Sequence, residues 1–236
     1  MIKGFFITAP SVVHVGEKFS LKIKVLGEVY DVPAGCYYPR SPQLKGRYNI
    51  SPRGIRFKDN VLSDWHETVA IESDDSYDGP PLYSFTDCQG VFEGDTRPIA
   101  RIEDLSFSQP GFHFLTVREP STNVTGVSNP IFVSRKEPEE RLYWGDIHCQ
   151  TFFSDGLRIP EELYSFARDE GFLDIFALSD HTESLSDRQW EYFANVTNDY
   201  YQPHSFVTLV GLEWTNSKMG HRNVYYPGEY GPILRH

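Results

Sequence analysis

Cysteine is scarce. Cys36, Cys88 and Cys149 are the only three in 236 residues, and no two of them form a Cys-x-x-Cys pair. A sparse, odd set of this kind is neither a disulfide framework nor a structural zinc site. Long apolar runs are missing as well: no segment reaches the roughly 20 residues needed to cross a bilayer. The apolar stretch within residues 1–8 is too short for a secretory leader. These absences predict a soluble, cytoplasmic protein with no membrane partner. Basic residues are outnumbered, with 22 Lys and Arg against 33 Asp and Glu and a formal net charge of −11. That balance excludes a basic nucleic-acid groove. It would also repel an anionic substrate at long range, so such a substrate requires a local positive charge such as a bound metal. No internal repeat is present.

What the chain does contain is material for packed cores, with 39% hydrophobic and 15% aromatic residues. Residues 1–134 read as β-structure. Phe19, Leu21, Ile23 and Val25 alternate with Ser20, Lys22 and Lys24, the period of two of a half-buried strand. A second strand is predicted over 112–117 after the turn pair Pro110-Gly111, and a third at Ile131-Phe132-Val133 after Asn129-Pro130. Short strands, Gly/Pro punctuation and no helical period predict an immunoglobulin-like β-sandwich, an accessory domain beside the catalytic part. Tyr37-Tyr38-Pro39 and Trp65-His66 could form a sugar-binding face, although buried sandwich aromatics are the commoner explanation. Residues 135–141, charged and carrying Pro138, read as a linker.

The pattern then changes. Residues 142–148 can form a strand. Pro160 suits the first turn of a helix, with Glu161 and Glu162 favourable to its dipole, Leu163, Phe166 and Ala167 on one face, and Gly171 at its end. Ile175-Phe176-Ala177-Leu178 is a buried strand. Ser186 and Gln189 form a capping box for a second helix that presents Trp190, Phe193 and Ala194 on one side. The apolar run 206–212 completes a strand–helix–strand–helix–strand series, the signature of a parallel α/β unit.

In such a unit the C-terminal ends of the strands open toward the active face. Reading these ends in order gives Asp146-Ile147-His148, Ser179-Asp180-His181, Gly211-Leu212-Glu213 and then Gly220-His221-Arg222. A lone histidine at a strand end is ordinarily a satisfied polar residue, and each of these taken singly carries little weight. The series as a whole points to a metal site, since imidazole and carboxylate together suit Zn, Mn or Fe. Asp146 and Asp180 flank candidate ligands and could hold imidazoles by hydrogen bonds, or could simply cap strand ends. Arg222 could pair with a substrate phosphate, or lie solvated on the surface.

The segment Leu142-Tyr143-Trp144-Gly145-Asp146-Ile147-His148-Cys149-Gln150-Thr151, followed by Ser154-Asp155-Gly156, resembles the first motif of the PHP (polymerase and histidinol phosphatase) superfamily. Leu178-Ser179-Asp180-His181-Thr182-Glu183 resembles its second motif and Gly211-Leu212-Glu213-Trp214 its third, and 220–225 is similar to the stretch that follows. The likeness, over 142–226, is to a poorly characterised domain-of-unknown-function branch carrying an N-terminal β-domain. It implies a distorted (β/α)7 barrel with two or three divalent metal ions and phosphoester hydrolysis by a metal-activated water. The implied ligands are His148, Asp155, His181, Glu213 and His221, with Glu213 bridging; beside them, Asp180 and Arg222 are the candidate catalytic residues. Gln150 stands where the family has a second histidine, and an amide is a weaker transition-metal ligand than imidazole. The family's last motif has no counterpart in this chain, and only about four barrel strands fit in 142–236. The expectation is therefore an incomplete barrel, with the remaining segment supplied by the same or another chain. The leading functional expectation is a metal-dependent hydrolase acting on a small anionic substrate. The alternative, motivated by Gln150, is a non-catalytic binding or assembly module with a degenerate site.

Overall fold

The computed structural model describes residues 1–27, 65–86, 98–156 and 158–235, together with the backbone of 31–32 and 55–56. Cys36, Cys88 and the Tyr37-Tyr38-Pro39 stretch lie outside the described residues. The chain divides into two compact units, Met1–Leu142 and Tyr143–His236. Strand makes up 42% of the structure, and two α-helices occur among the described residues. No helix there is long and apolar enough to cross a membrane.

Among the described residues, unit 1 holds thirteen strands: β1 (Gly4–Thr8), β2 (Val12–His14), β3 (Phe19–Leu26), β4 (Asp31–Val32), β5 (Ile55–Arg56), β6 (Thr68–Ser73), β7 (Tyr77–Asp78), β8 (Leu82–Ser84), β9 (Ile99–Phe107), β10 (Gly111–His113), β11 (Leu115–Arg118), β12 (Thr125–Val127) and β13 (Ile131–Ser134). They pair as sheets ordered β1-β3-β9-β7, β12-β11-β6-β8 and β10-β13-β2, with β4 and β5 as a separate pair. One apolar cluster joins these sheets. Phe19, Leu21, Ile23 and Val25 of β3 enter it with Val69 and Ile71 of β6, Leu105 and Phe107 of β9, and Leu115 and Val117 of β11. The alternation read from β3 thus selects its inner face, because successive side chains leave a strand on opposite sides. Lys24 departs from it: its side chain is fully buried, with the ammonium 5.2 Å from the centre of the Phe6 ring. Trp65 packs edge-on against Phe5 and Phe85, with ring centres 6.4 and 5.3 Å away. Residues 135–141 belong to this unit, and Arg141 pairs with Glu17 at 2.7 Å.

Unit 2 comprises β14 (Gly145–Cys149), α1 (Pro160–Ser165), β15 (Ile175–Leu178), α2 (Asp187–Asp199), β16 (Val207–Thr208), β17 (Val210–Asn216) and β18 (Gly220–Tyr226). β14, β15 and β16 pair in parallel, whereas β17 and β18 form an antiparallel hairpin. The run of parallel strands each ending in a ligand, expected from the sequence, is therefore corrected beyond β16. The reason is the turn between β17 and β18. The Asn216 side-chain oxygen accepts from Lys218 N at 2.9 Å and Met219 N at 3.0 Å. Gly220 then takes a left-handed φ of 80°, open to glycine at no steric cost.

The core of unit 2 gathers Tyr164, Phe176, Leu178, Trp190, Phe193, Ala194, Phe206, Val210 and Leu212. The capping box at Ser186 and Gln189 is formed, and α2 turns Trp190, Phe193, Ala194 and Thr197 inward, one stripe at i, i+3, i+4 and i+7. The first helix differs from expectation. After Ser165 it widens into a π-helical turn over Phe166–Glu170, which carries Phe166 outward to 42% exposure while Tyr164 and Ala167 are buried. Gly171 ends it in right-handed geometry, and the left-handed residue is Phe172, with φ 56°. Residues 229–235 wrap back on α2: the Trp190 indole donates to the Gly231 carbonyl at 2.9 Å, and the Asn198 amide to the Glu229 carbonyl at 2.7 Å.

Candidate metal centre

The site forms where 175–181 and 207–213 run side by side. β15 is followed by Ser179-Asp180-His181, and Glu213 N donates to the Asp180 carbonyl at 3.0 Å, which sets His181 beside Glu213 in parallel register. The hairpin supplies the rest. Glu213 stands opposite Asn223, and Thr215 opposite His221. Because side chains alternate along a strand, these four share one face of the hairpin. Trp214 and its partner Arg222 share the other face, where the guanidinium lies 5.7 Å from the centre of the Trp214 ring. Arg222, expected beside the ligands, is on the face away from Glu213, for the simple reason that it neighbours His221 on a strand.

Three donors converge. Atoms of His181, Glu213 and His221 all lie within 4.8 Å of one another. The Nδ1 of His221 is 2.5 Å from Glu213 Oε1, and the Nδ1 of His181 is 3.6 Å from Glu213 Oε2. The two imidazole rings meet edge-on, with centres 5.1 Å apart. Glu213 is 3% exposed and His181 8%, whereas the side chains of His221 and His148 are half-exposed. Around this triad stand the other residues expected to be ligands. His148 Nε2 is 3.5 Å from Glu213 Oε2, and Asp155 Oδ2 is 3.4 Å from His181 Nε2. The Gln150 amide nitrogen lies between Glu213 Oε2, at 2.7 Å, and His181 Nε2, at 3.1 Å. Thus all six of these side chains meet in one place, but only three form a mutually close donor set.

Asp180, expected in a catalytic role, is fully buried and hydrogen-bonded to the neighbouring loop. Its carboxylate accepts from Thr151 N at 3.0 Å, Thr151 Oγ1 at 2.9 Å and Ser154 Oγ at 2.6 Å. It therefore ties the loop bearing Gln150 and Asp155 to the strand end bearing His181. Burial pushes the Asp180 carboxyl up; the hydrogen bonds from Ser154 and Thr151 and the charge of His181 pull the other way. The loop is tight, since a Cβ on Gly156 would fall 1.9 Å from the Gln150 carbonyl oxygen. Gly156 N donates to the Thr151 carbonyl at 2.8 Å, closing the turn that presents Asp155. Asp146 accepts from His148 N at 3.0 Å, capping the strand and not holding a ring. Burial, reinforced by the charge of Asp146, pushes the Cys149 thiol up to about 11, as befits a small residue packed against the core.

Sequence reasoning missed two residues, Thr215 and Asn223. The Thr215 hydroxyl lies 2.5 Å from His181 Nδ1, and the Asn223 amide contacts His148 Nδ1. The signal that could have found them is the hairpin: with the turn at Gly220 recognised, period two puts both on the face of Glu213.

Residues 161–233 match a family model described as a protein of unknown function (DUF3604). No curated protein and no solved structure matches the chain. The expected membership of the PHP superfamily is overturned by this result, because no PHP family model is matched. The first of the resembling motifs, at 142–156, also falls outside the matched residues. Short strings such as Ser-Asp-His and Gly-Leu-Glu follow from a ligand-bearing strand end and do not identify a family.

Proposed function

We propose that unit 2 binds a divalent transition metal on His181, Glu213 and His221 and acts as a metal-dependent hydrolase of phosphoester-type substrates. The observation that carries this reading is the convergence of two imidazoles and a buried carboxylate within 4.8 Å. That donor set suits Zn, Mn or Fe. The fit is supported by the side chains around Glu213, which among the described residues are His148, His181, His221 and the Gln150 amide, with no lysine or arginine. A buried carboxylate so placed gains from a cation. When bound, a divalent ion there lowers the pKa of water and polarises a phosphoryl oxygen. The chain's own part is orientation. Half-exposed His148 and His221, with Asn223 on the same hairpin face as Glu213, offer donors to the oxygens of an anionic substrate that the net charge of −11 repels at long range. For unit 1 we infer a sandwich of immunoglobulin-like type, supported by largely antiparallel sheets sharing one apolar cluster.

The test is metal analysis of the purified full chain by plasma mass spectrometry, followed by a panel of phosphate mono- and diesters, amides and carboxyl esters. Stoichiometric Zn, Mn or Fe is expected, with phosphoester turnover that is lost together with the metal in Glu213→Gln. Less than one equivalent of metal after reconstitution would sink the proposal. One observation favours a second reading, a non-catalytic binding module: the Gln150 amide already occupies Glu213 Oε2 and His181 Nε2. Gln150→His separates the two. A gain of metal and activity marks a decayed site, and a loss marks a working site that uses the amide.

A further inference from the structure

We infer that Thr215 is a positioning residue that fixes the tautomer of His181, so that the Nε2 lone pair of that ring stays available on the side of Gln150 and Asp155; this rests on the metal reading above. The argument starts at Gln150. Its amide nitrogen is 2.7 Å from Glu213 Oε2, and a carboxylate oxygen at that distance accepts while an amide nitrogen can only donate. Turning the amide over would set two acceptor oxygens against each other, so the Glu213 carboxylate settles the orientation of the amide. The second proton of the same NH2 group points to His181 Nε2, 3.1 Å away. Nε2 is therefore an acceptor, and a neutral ring then carries its proton on Nδ1.

That proton has two acceptors within sight. The Thr215 hydroxyl oxygen is at 2.5 Å and Glu213 Oε2 at 3.6 Å, and only the first is at hydrogen-bond distance. Thr215 can accept because its own proton has somewhere to go, the backbone carbonyl of Glu213 at 3.5 Å. The chain of donors runs Gln150 to His181 to Thr215 to Glu213, and it leaves the Nε2 lone pair facing the Gln150 amide, with Asp155 Oδ2, 3.4 Å from Nε2, a second acceptor beside it. Position 215 is held on this face by its pairing with His221 across the hairpin. A metal-ligating histidine needs such a partner on its other nitrogen to fix ring and tautomer.

The experiment uses the full chain, 15N-labelled at histidine, without added metal. Long-range 1H–15N spectra read the tautomer of His181, whose signals are identified by their loss in His181→Asn. Zinc titration calorimetry of the same samples reads affinity. In the wild type the Nδ1–H form is expected. Thr215→Val should give a mixture of tautomers and weaken zinc about 10- to 100-fold, while Thr215→Ser should stay within about threefold of wild type. An Nε2–H ring in the wild type overturns the inference without recourse to any variant. So does a Thr215→Val protein with unchanged tautomer and affinity, or a Thr215→Ser protein that behaves like Thr215→Val. If the wild type binds no zinc, the metal reading fails, yet the tautomer and its response to Thr215→Val still decide the role of Thr215.

Discussion

Replacing Asp180 with alanine should destabilise unit 2 by about 2–4 kcal/mol, through its donors and not through any catalytic loss. Asp180 and Thr151 are both 0% exposed. The substitution leaves Thr151 N and Thr151 Oγ1 buried with no acceptor, and each such orphan costs about 1–3 kcal/mol. The third donor, Ser154 Oγ, is only part-buried and can turn to water. Against these losses stands a gain: burial pushes the Asp180 carboxyl up, so removing it relieves a desolvation cost. Two orphaned donors less that relief give the stated range. Urea unfolding followed by tryptophan fluorescence measures it, in a Trp65→Phe background so that Trp144, Trp190 and Trp214 report on unit 2 alone. Thr151→Val supplies the control. In the double variant the second substitution removes one donor that the first would have orphaned, so the two effects should fall short of additivity by about 1 kcal/mol or more. A loss below about 0.5 kcal/mol for Asp180→Ala, or strict additivity, would refute the reasoning.

Glu119 gives a pH test in unit 1. Hydrogen bonds from Thr122 and Ser121 hold its carboxyl down to about 2, so its stabilisation is complete above the ordinary glutamate pKa of about 4.3 and is lost as pH falls toward 2. The stability difference between wild type and Glu119→Gln, measured by urea unfolding, should therefore shrink steadily over that window, and a difference that is constant or grows on acidification contradicts it. Ser186→Ala removes the capping box of α2, in which Ser186 Oγ accepts from Gln189 N, and should cost about 1 kcal/mol with no change in metal affinity. Gly156→Ala should weaken zinc binding at least about tenfold while leaving the helical circular dichroism intact, because its Cβ would force apart the backbone that presents Gln150 and Asp155.

Much of the local structure was readable in advance, and the reasons differ from element to element. The period of two in β3 and the capping box of α2 are written in neighbouring residues, so local rules suffice. The π-helical turn after Ser165 is not local. It depends on how Tyr164 and Ala167 pack into the core of unit 2 against residues far along the chain, and no spacing rule on 160–171 anticipates it. Lys24 is similar: its place in the alternation says outward, and only the assembled sheet shows it buried over Phe6.

For the site, the decisive datum is the direction of one strand. Composition and the series of histidines and acids bring His148, Gln150, Asp155, His181, Glu213 and His221 to notice, but they do not say which neighbours come with them. If β18 were parallel to β17, His221 would approach Glu213 only at a strand end, and nothing would relate Thr215 or Asn223 to either. The turn over 216–220 makes the pair antiparallel, with Thr215 opposite His221 and Glu213 opposite Asn223. From that register three consequences follow at once. His221 reaches Glu213 along a diagonal of the same face, Thr215 is carried to His181, and Arg222 is sent to Trp214 on the far side. A one-residue slip of the hairpin would exchange the two faces, putting Trp214 among the imidazoles and removing Glu213 from them. The donor set therefore depends on the turn that sets the register as much as on the ligands themselves.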